Sequence, residues 1–185
     1  MRKLIFAINV TIDGYCGHEN GLPNEEVHEY FAKLTREAGV LLYGRKTYEL
    51  MVPFWPDIAK STADQGKAMK EFADAFVSVP QRVVFSKTLS STVEKNTTIL
   101  HTDLRAEVIK LKQEPGDNIL TGGVDIPTQL LAEGLIDEIR LVVHPVIAGK
   151  GRRLFDGLDL QAQLELKLVE TKSFKSGHVV LRYAK

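Results

Sequence analysis

Short apolar runs that end on a glycine or polar turn and give way to helical stretches recur along this chain. That alternation constrains the fold more than any other feature. Leu4 to Asn9, Val40 to Tyr43, Arg82 to Phe85, Asn118 to Thr121 and Glu138 to Val143 read as strands, and Thr98 to His101 as a shorter one. Helical spacing of Val27, Tyr30, Phe31 and Leu34 predicts a helix over Glu25 to Arg36, opened by Pro23 and Asn24. Further helices are expected over Lys46 to Met51, Ala63 to Phe76, Leu104 to Lys112 and Ile126 to Ala132, with Phe54-Trp55-Pro56 as a loop. Strands joined by helices pair in parallel. The last two strands, Glu165 to Thr171 and His178 to Tyr183, flank a Ser176-Gly177 turn and predict an antiparallel hairpin. The expected architecture is therefore α/β: a three-layer sandwich on a mixed sheet of about seven to nine strands.

A chain of 185 residues suits one domain, taken as residues 1–185, and needs no disulfide or metal to fold. Lys plus Arg and Asp plus Glu both number 24, so no broad field favours nucleic acid or an anionic membrane. The single cysteine, Cys16, sits beside small residues, excludes an intrachain disulfide framework and fits a reducing compartment. His18, His28, His101, His144 and His178 form no metal-ligand spacing, so no metal site is expected. With no signal-peptide pattern and no apolar run near the ~20 residues of a membrane helix, the expected location is cytoplasmic.

Three strand ends carry residues suited to a phosphorylated ligand. Val40 to Tyr43 runs into Gly44-Arg45-Lys46-Thr47, and Ile119 to Thr121 runs into Gly122-Gly123 and Val124. Glycine at a strand-to-helix turn lets backbone approach a ligand, and the next helix presents unpaired N–H groups. Ser86-Lys87 follows a third strand, at the edge where open α/β sheets bind ligands. Each motif singly is also what an ordinary tight turn or solvated loop looks like. The three together point to a dinucleotide with an additional ribose phosphate.

Thr11-Ile12-Asp13-Gly14-Tyr15, Gly44 to Glu49, Val84-Phe85-Ser86-Lys87-Thr88-Leu89, Leu120-Thr121-Gly122-Gly123, Leu135-Ile136-Asp137-Glu138, Pro145 to Gly151 and Leu154-Phe155 occur in that order. In these stretches the chain resembles the stand-alone proteins related to dihydrofolate reductase and to the reductase domain of bifunctional riboflavin biosynthesis enzymes. The resemblance implies a dihydrofolate-reductase-like fold, a homodimer, and NADPH as cofactor. It implies that Gly44, Arg45, Lys46 and Thr47 contact cofactor phosphates and that Ser86 and Lys87 flank the adenosine half. Thr121, Gly122, Gly123 and Val124 would cover the pyrophosphate, with Ala7, Ile12 and Gly14 at the nicotinamide. Val124 stands where dihydrofolate reductases carry a third glycine.

The implied reaction is hydride transfer to a small pterin-like or aminopyrimidine-like heterocycle. Alternatives are a phosphoribosylaminopyrimidine reductase and a non-catalytic NADP-binding protein. Asn9, Tyr48 and Trp55 are candidates for the substrate side, although Tyr48 and Trp55 would equally serve as core or rim aromatics. Glu26 and Glu25 are the candidate acids, or else first-turn charges favoured by the helix dipole, and His28 falls near the family's acid position. Arg152 and Arg153 would bind a substrate phosphate or form a solvated basic turn. The deaminase zinc signature of the bifunctional enzymes does not occur in the chain.

Overall fold

A computed structural model describes residues 1–185 except Pro23 and Val93, so the expectation that Pro23 opens a helix lies outside the described residues. Eight strands form one sheet: β1 (Leu4–Thr11), β2 (Ala38–Gly44), β3 (Gln81–Phe85), β4 (Thr97–Leu100), β5 (Asn118–Thr121), β6 (Glu138–His144), β7 (Lys167–Ser173) and β8 (Val179–Ala184). Their order is β4-β3-β2-β5-β1-β6-β8-β7. Strands β1 to β6 run parallel, while β8 runs antiparallel to both β6 and β7. The expected mixed sheet with its terminal hairpin is the observed one.

Six helices accompany it: α1 (Glu25–Arg36), α2 (Arg45–Met51), α3 (Phe54–Lys60), α4 (Lys67–Ser78), α5 (Leu104–Gln113) and α6 (Asp125–Ala132). Connections from β1 to β2 and on to β3 step one way along the sheet; those from β4 to β5 and on to β6 step the other way. Because parallel crossovers keep one hand, opposite steps put their helices on opposite faces. Two cores follow. Ile5, Leu41, Tyr43 and Val84 pack beneath Leu34 of α1 and Phe72 and Phe76 of α4. Leu4, Phe6, Leu42 and Ile119 pack beneath Val108 and Leu111 of α5 and Leu130 and Leu131 of α6.

Local chemistry sets the helix starts. Asn24 caps α1, its side-chain oxygen accepting the Val27 N–H at 3.1 Å, and Asp103 caps α5 through Ala106 N–H at 2.7 Å. The helix expected from Ala63 begins instead at Lys67, because Gly66 at φ +79° turns the chain there and cannot sit in a helix interior. Phe54-Trp55-Pro56, expected as a loop, opens α3. Pro56 lies in its first turn, where a missing N–H costs nothing, and the Trp55 ring packs on Phe72 of α4 at 4.4 Å between centroids.

Asp137 holds the start of the sheet. Its carboxylate accepts the Leu4 N–H at 2.7 Å and the ammonium of the buried Lys112 at 2.6 Å. Removing that charge would leave Lys112 buried beside a neutral amide. Asp137→Asn should therefore lower unfolding stability by about 2 kcal/mol or more. Chemical denaturation measures it, and a loss under about 0.5 kcal/mol would contradict this role.

Candidate functional site

Strands β3, β2, β5 and β1 are consecutive neighbours running the same way, so the residues after them emerge side by side: Ser86, Arg45, Gly122 and Ile12. That edge lies at the reversal of crossover direction, where open α/β sheets form a crevice. Residues far apart in sequence thus become one continuous border.

The glycine turns interlock. A side chain on Gly123, which has φ +81°, would run into the Thr47 hydroxyl of α2. A Cβ on Gly44 would lie 3.0 Å from Ile126 Cγ1 of α6. Each turn's glycine thus receives a side chain from the helix that follows the other turn. These contacts account for Gly44 and Gly123 by packing. Gly122 differs: a Cβ there would meet Ala7 O at 3.4 Å, an ordinary contact, and its φ is not positive. The seven-residue α2 is too short for its dipole to be a strong anion site, so charge at this border comes from side chains.

Those side chains are Arg45, Lys46 and Lys87. Lys46 and Lys87 are exposed, and half-buried Arg45 pairs with Glu49 at 3.0 Å. The Ser86 hydroxyl accepts N–H bonds from Thr88 and Leu89 at 3.1 and 2.8 Å, so it shapes the turn as well as facing outward. His101, after β4, donates from Nδ1 to the Ser86 carbonyl at 2.6 Å and joins this row, which sequence reasoning did not anticipate. Thr121 is buried, its hydroxyl donating to Leu42 O at 2.8 Å. It ties β5 to β2 and presents no free group to a cofactor, contrary to its expected place at the pyrophosphate. Half-buried Val124 leads into α6 and packs on its side of the core.

At the end of β1, Thr11 donates to Asp13 at 2.6 Å, and Asp13 accepts the Ala148 and Gly149 N–H groups at 3.0 and 2.7 Å. The Thr11 hydroxyl and those two amides hold the Asp13 carboxyl down at about 2. The segment after β6 is thereby fastened over Gly14, whose carbonyl accepts Leu154 N–H at 2.9 Å. Ile12 projects beside it, 63% exposed.

Asn9 marks the cleft. It lies in a central strand beside Val142, on the α1 face of the sheet, yet it is exposed. A central-strand side chain stays exposed only where no helix covers it. Ala7 lies two residues earlier on the same face, buried against Gly122. His28 of α1, Trp55 of α3 and Phe72 of α4 form an aromatic group in the helical layer on that face, with His28 and Trp55 centroids 6.0 Å apart. Burial lowers the His28 pKa and favours its neutral form.

Several expected roles are not what the geometry supports. The Glu26 carboxylate accepts the Lys175 and Ser176 N–H groups at 3.2 and 2.9 Å. Ser176 holds its pKa below the usual range, so it braces the β7–β8 turn as an anion and is no proton donor. Glu25 is exposed in the first turn of α1, where it complements the helix dipole. Tyr48 is buried with its hydroxyl on Thr92, packs in the core on the α1 face, and lines an open pocket with Val52, Pro53 and Pro56. Arg152 pairs with Asp125 at 3.0 Å, and Arg153 lies over the Tyr15 ring at 4.8 Å. Burial raises the Cys16 pKa and keeps it a thiol, and its Sγ donates to Arg152 O at 3.3 Å. Among the described residues no cluster of His, Cys, Asp or Glu would hold a metal ion, and no helix is long and apolar enough to cross a membrane.

Gly123→Ala should cost about 1–3 kcal/mol, from the left-handed backbone and the Thr47 contact. Gly122→Ala should unfold within about 2 °C of the parent in a thermal melt. Equal melting losses in the two variants would contradict the interlocked turns.

The RibD C-terminal domain family matches residues 2–180. The chain is 31% identical over 186 residues to the uncharacterized protein YyaP of Bacillus subtilis (strain 168), covering 98% of this chain and 94% of that protein. Its fold matches a candidate riboflavin biosynthesis protein from Shewanella sp. PV-4 with a TM-score of 0.71, at 20% identity and 98% coverage of both chains. It also matches a diaminohydroxyphosphoribosylaminopyrimidine deaminase/5-amino-6-(5-phosphoribosylamino)uracil reductase from Thermotoga maritima, at TM-score 0.65 and 16% identity. That match covers 99% of this chain and 56% of the other. By that match over residues 2–180, this chain belongs to the RibD C-terminal domain family, a riboflavin-pathway-type reductase family.

Proposed function

We propose that the chain is an NADPH-dependent reductase acting on a flat, pyrimidine- or pterin-like heterocycle. One observation carries this: the ends of β3, β2, β5 and β1 form a single border running from exposed cations at Lys46 and Lys87 to the open cleft over Asn9. The group fits that border by its chemistry. Arg45, Lys46, Ser86 and Lys87 would hold the ribose phosphate, and the Gly122 backbone the pyrophosphate, with Ala7, Ile12 and Gly14 at the nicotinamide end. A nicotinamide bound there supplies a hydride. The chain's own part is orientation: Asn9 would hydrogen-bond the heterocycle, and Trp55 with neutral His28 would wall it off from water. Glu26 is excluded as the acid by its two amide bonds, and a neutral His28 is the remaining titratable group on that wall. Engagement of Arg152 with Asp125 and of Arg153 with Tyr15 weighs against a phosphoribosyl substrate bound by that pair.

A homodimer belongs to the same proposal. On the α6 side, β6, β8 and β7 present Leu141, Val143, Val179, Leu181, Tyr183 and Leu168, none of them charged. The edge strand β7 is exposed throughout, carries Lys167, Glu170 and Lys172, and is bulged between Leu168 and Glu170. Charges and a bulge discourage edge pairing, which leaves the uncharged face as the surface a second copy would cover.

In calorimetry NADPH should bind about tenfold to a few hundredfold more tightly than NADH, the yield of one or two charge-assisted hydrogen bonds. Gly122→Ala should weaken NADPH at least about tenfold while remaining folded. Equal affinity for both dinucleotides, or no NADPH binding, would overturn the cofactor reading. Loss of NADPH absorbance with 5-amino-6-ribosylaminouracil, its 5′-phosphate or dihydrofolate then sorts the substrates, and binding without turnover on all three marks a non-catalytic protein. Light scattering should give a dimer that Leu181→Glu converts to a monomer; a monomeric parent contradicts the face assignment.

A further inference from the structure

His144 closes β6 and His178 precedes β8, and neither is used by the proposed reaction. Both are buried, with rings packed edge-on at 4.4 Å between centroids and His178 Nε2 3.1 Å from His144 Nδ1. The donor on one side of the pair fixes the proton shared between the rings. Leu22 N–H, which can only donate, points at His144 Nδ1 from 3.0 Å, so that nitrogen carries a lone pair. The shared proton must then sit on His178 Nε2. At the far end His178 Nδ1 lies 3.0 Å from Ser176 Oγ and 3.3 Å from the amide nitrogen of Asn24, whose Oδ1 is occupied as the α1 cap. His144 Nδ1 thus turns its lone pair toward both Leu22 N–H and His178 Nε2.

We propose that this pair is a protonation-controlled latch, holding the segment around Leu22 and the β7–β8 turn against the end of β6. A proton added to His144 Nδ1 removes the acceptor for Leu22 N–H and sets two donors face to face between the rings. Among the described residues no carboxylate pairs with the His144 ring. From the β7–β8 turn it meets His178, which in turn touches Ser176 Oγ, next to Lys175 in the chain. On α1 the Glu26 carboxylate is taken by the Lys175 and Ser176 amides. From β1 it meets Thr11, whose hydroxyl serves Asp13. His18 and Glu19, on the segment itself, are exposed and pair with each other. His144 Nε2 is buried with no partner among the described residues, so the second N–H of an imidazolium would also go unmet.

The direction of the pH effect follows. Burial, and then the neighbouring His178, pull His144 down to about 4, so the closed form stays neutral where a released histidine would be protonated. The latch is fully closed above about pH 6.5 and weakens as pH falls toward about 4, by up to about tenfold per pH unit. His144 lies beside Thr11, one step along the face from Asn9 and Val142, so release would loosen the rim of the cleft.

Amide exchange of the full chain by NMR, corrected for the intrinsic rate at each pH, tests this together with the ring nitrogen shifts. Between pH 7 and 4.5 the protection of the Leu22 amide should fall up to about tenfold per unit, while the core amide of Leu41 holds. His144 should show a bare Nδ1 at neutral pH. In His144→Asn, whose Oδ1 can still accept from Leu22 N–H but does not titrate, Leu22 protection should be flat across that range. Constant Leu22 protection in the parent, a protonated Nδ1 at neutral pH, or joint loss of Leu22 and Leu41 protection would overturn the latch. Should the variant fail to fold, the parent's ring shifts and the Leu22-against-Leu41 comparison decide alone.

Discussion

Strand β5 lies between β1 and β2, and the rest of the molecule depends on that insertion. Parallel ladders hold it on both sides, and the buried Thr121 hydroxyl locks its end onto Leu42 O. The chain must leave β1, build β2, β3 and β4 outward, and then come back to fill the gap. The return reverses the crossover direction, so α5 and α6 cover the face opposite to α1 and α4. It also brings two glycine turns into contact. Thr47 fills the space beside Gly123, and Ile126 the space beside Gly44. A side chain at Gly123 would collide with Thr47 where the two turns meet.

The border this creates is graded along its length. At one end stand Arg45, Lys46, Lys87 and His101, with polar and charged groups reaching solvent. At the other, the β1 end is rigidified by Thr11, Asp13 and the amides of Ala148 and Gly149, which fasten the segment after β6 down over it. At that same end the sheet is bare at Asn9 of β1. Anionic ligand groups and a flat ring make opposite demands on their surroundings, one for charge and donors, the other for apolar walls. One parallel sheet edge can differ this much along its length because each strand end contributes a different residue type, and under the proposed function its two ends would meet those two demands.

Much of this was legible beforehand. The strand–glycine–helix rhythm, the three motifs at strand ends and the terminal hairpin are local patterns, and the structure keeps them within a residue or two. Misreadings came where a tertiary partner decided. Phe54-Trp55-Pro56 looks like a loop until Trp55 finds Phe72. Thr121 ends a strand before a glycine turn, but its hydroxyl is taken by Leu42 O, and the Tyr48 hydroxyl meets Thr92. Glu26, well placed along its helix for an acid, meets the amides of a turn 149 and 150 residues away.

By itself the sequence determined the class of fold, the places of the strands and of five of the helices, and the family. Periodicity, glycine punctuation and capping are short-range properties written in neighbouring residues. Only the tertiary structure decided which groups are free to act. Whether a carboxylate is an acid or an anchor depends on what donates to it, and whether a glycine serves a ligand or a neighbour depends on where its missing side chain would point. His144 and His178, 34 positions apart, carry no motif at all. They meet only because β8 returns beside β6, and Leu22 N–H reaches the same His144 nitrogen from a third part of the chain.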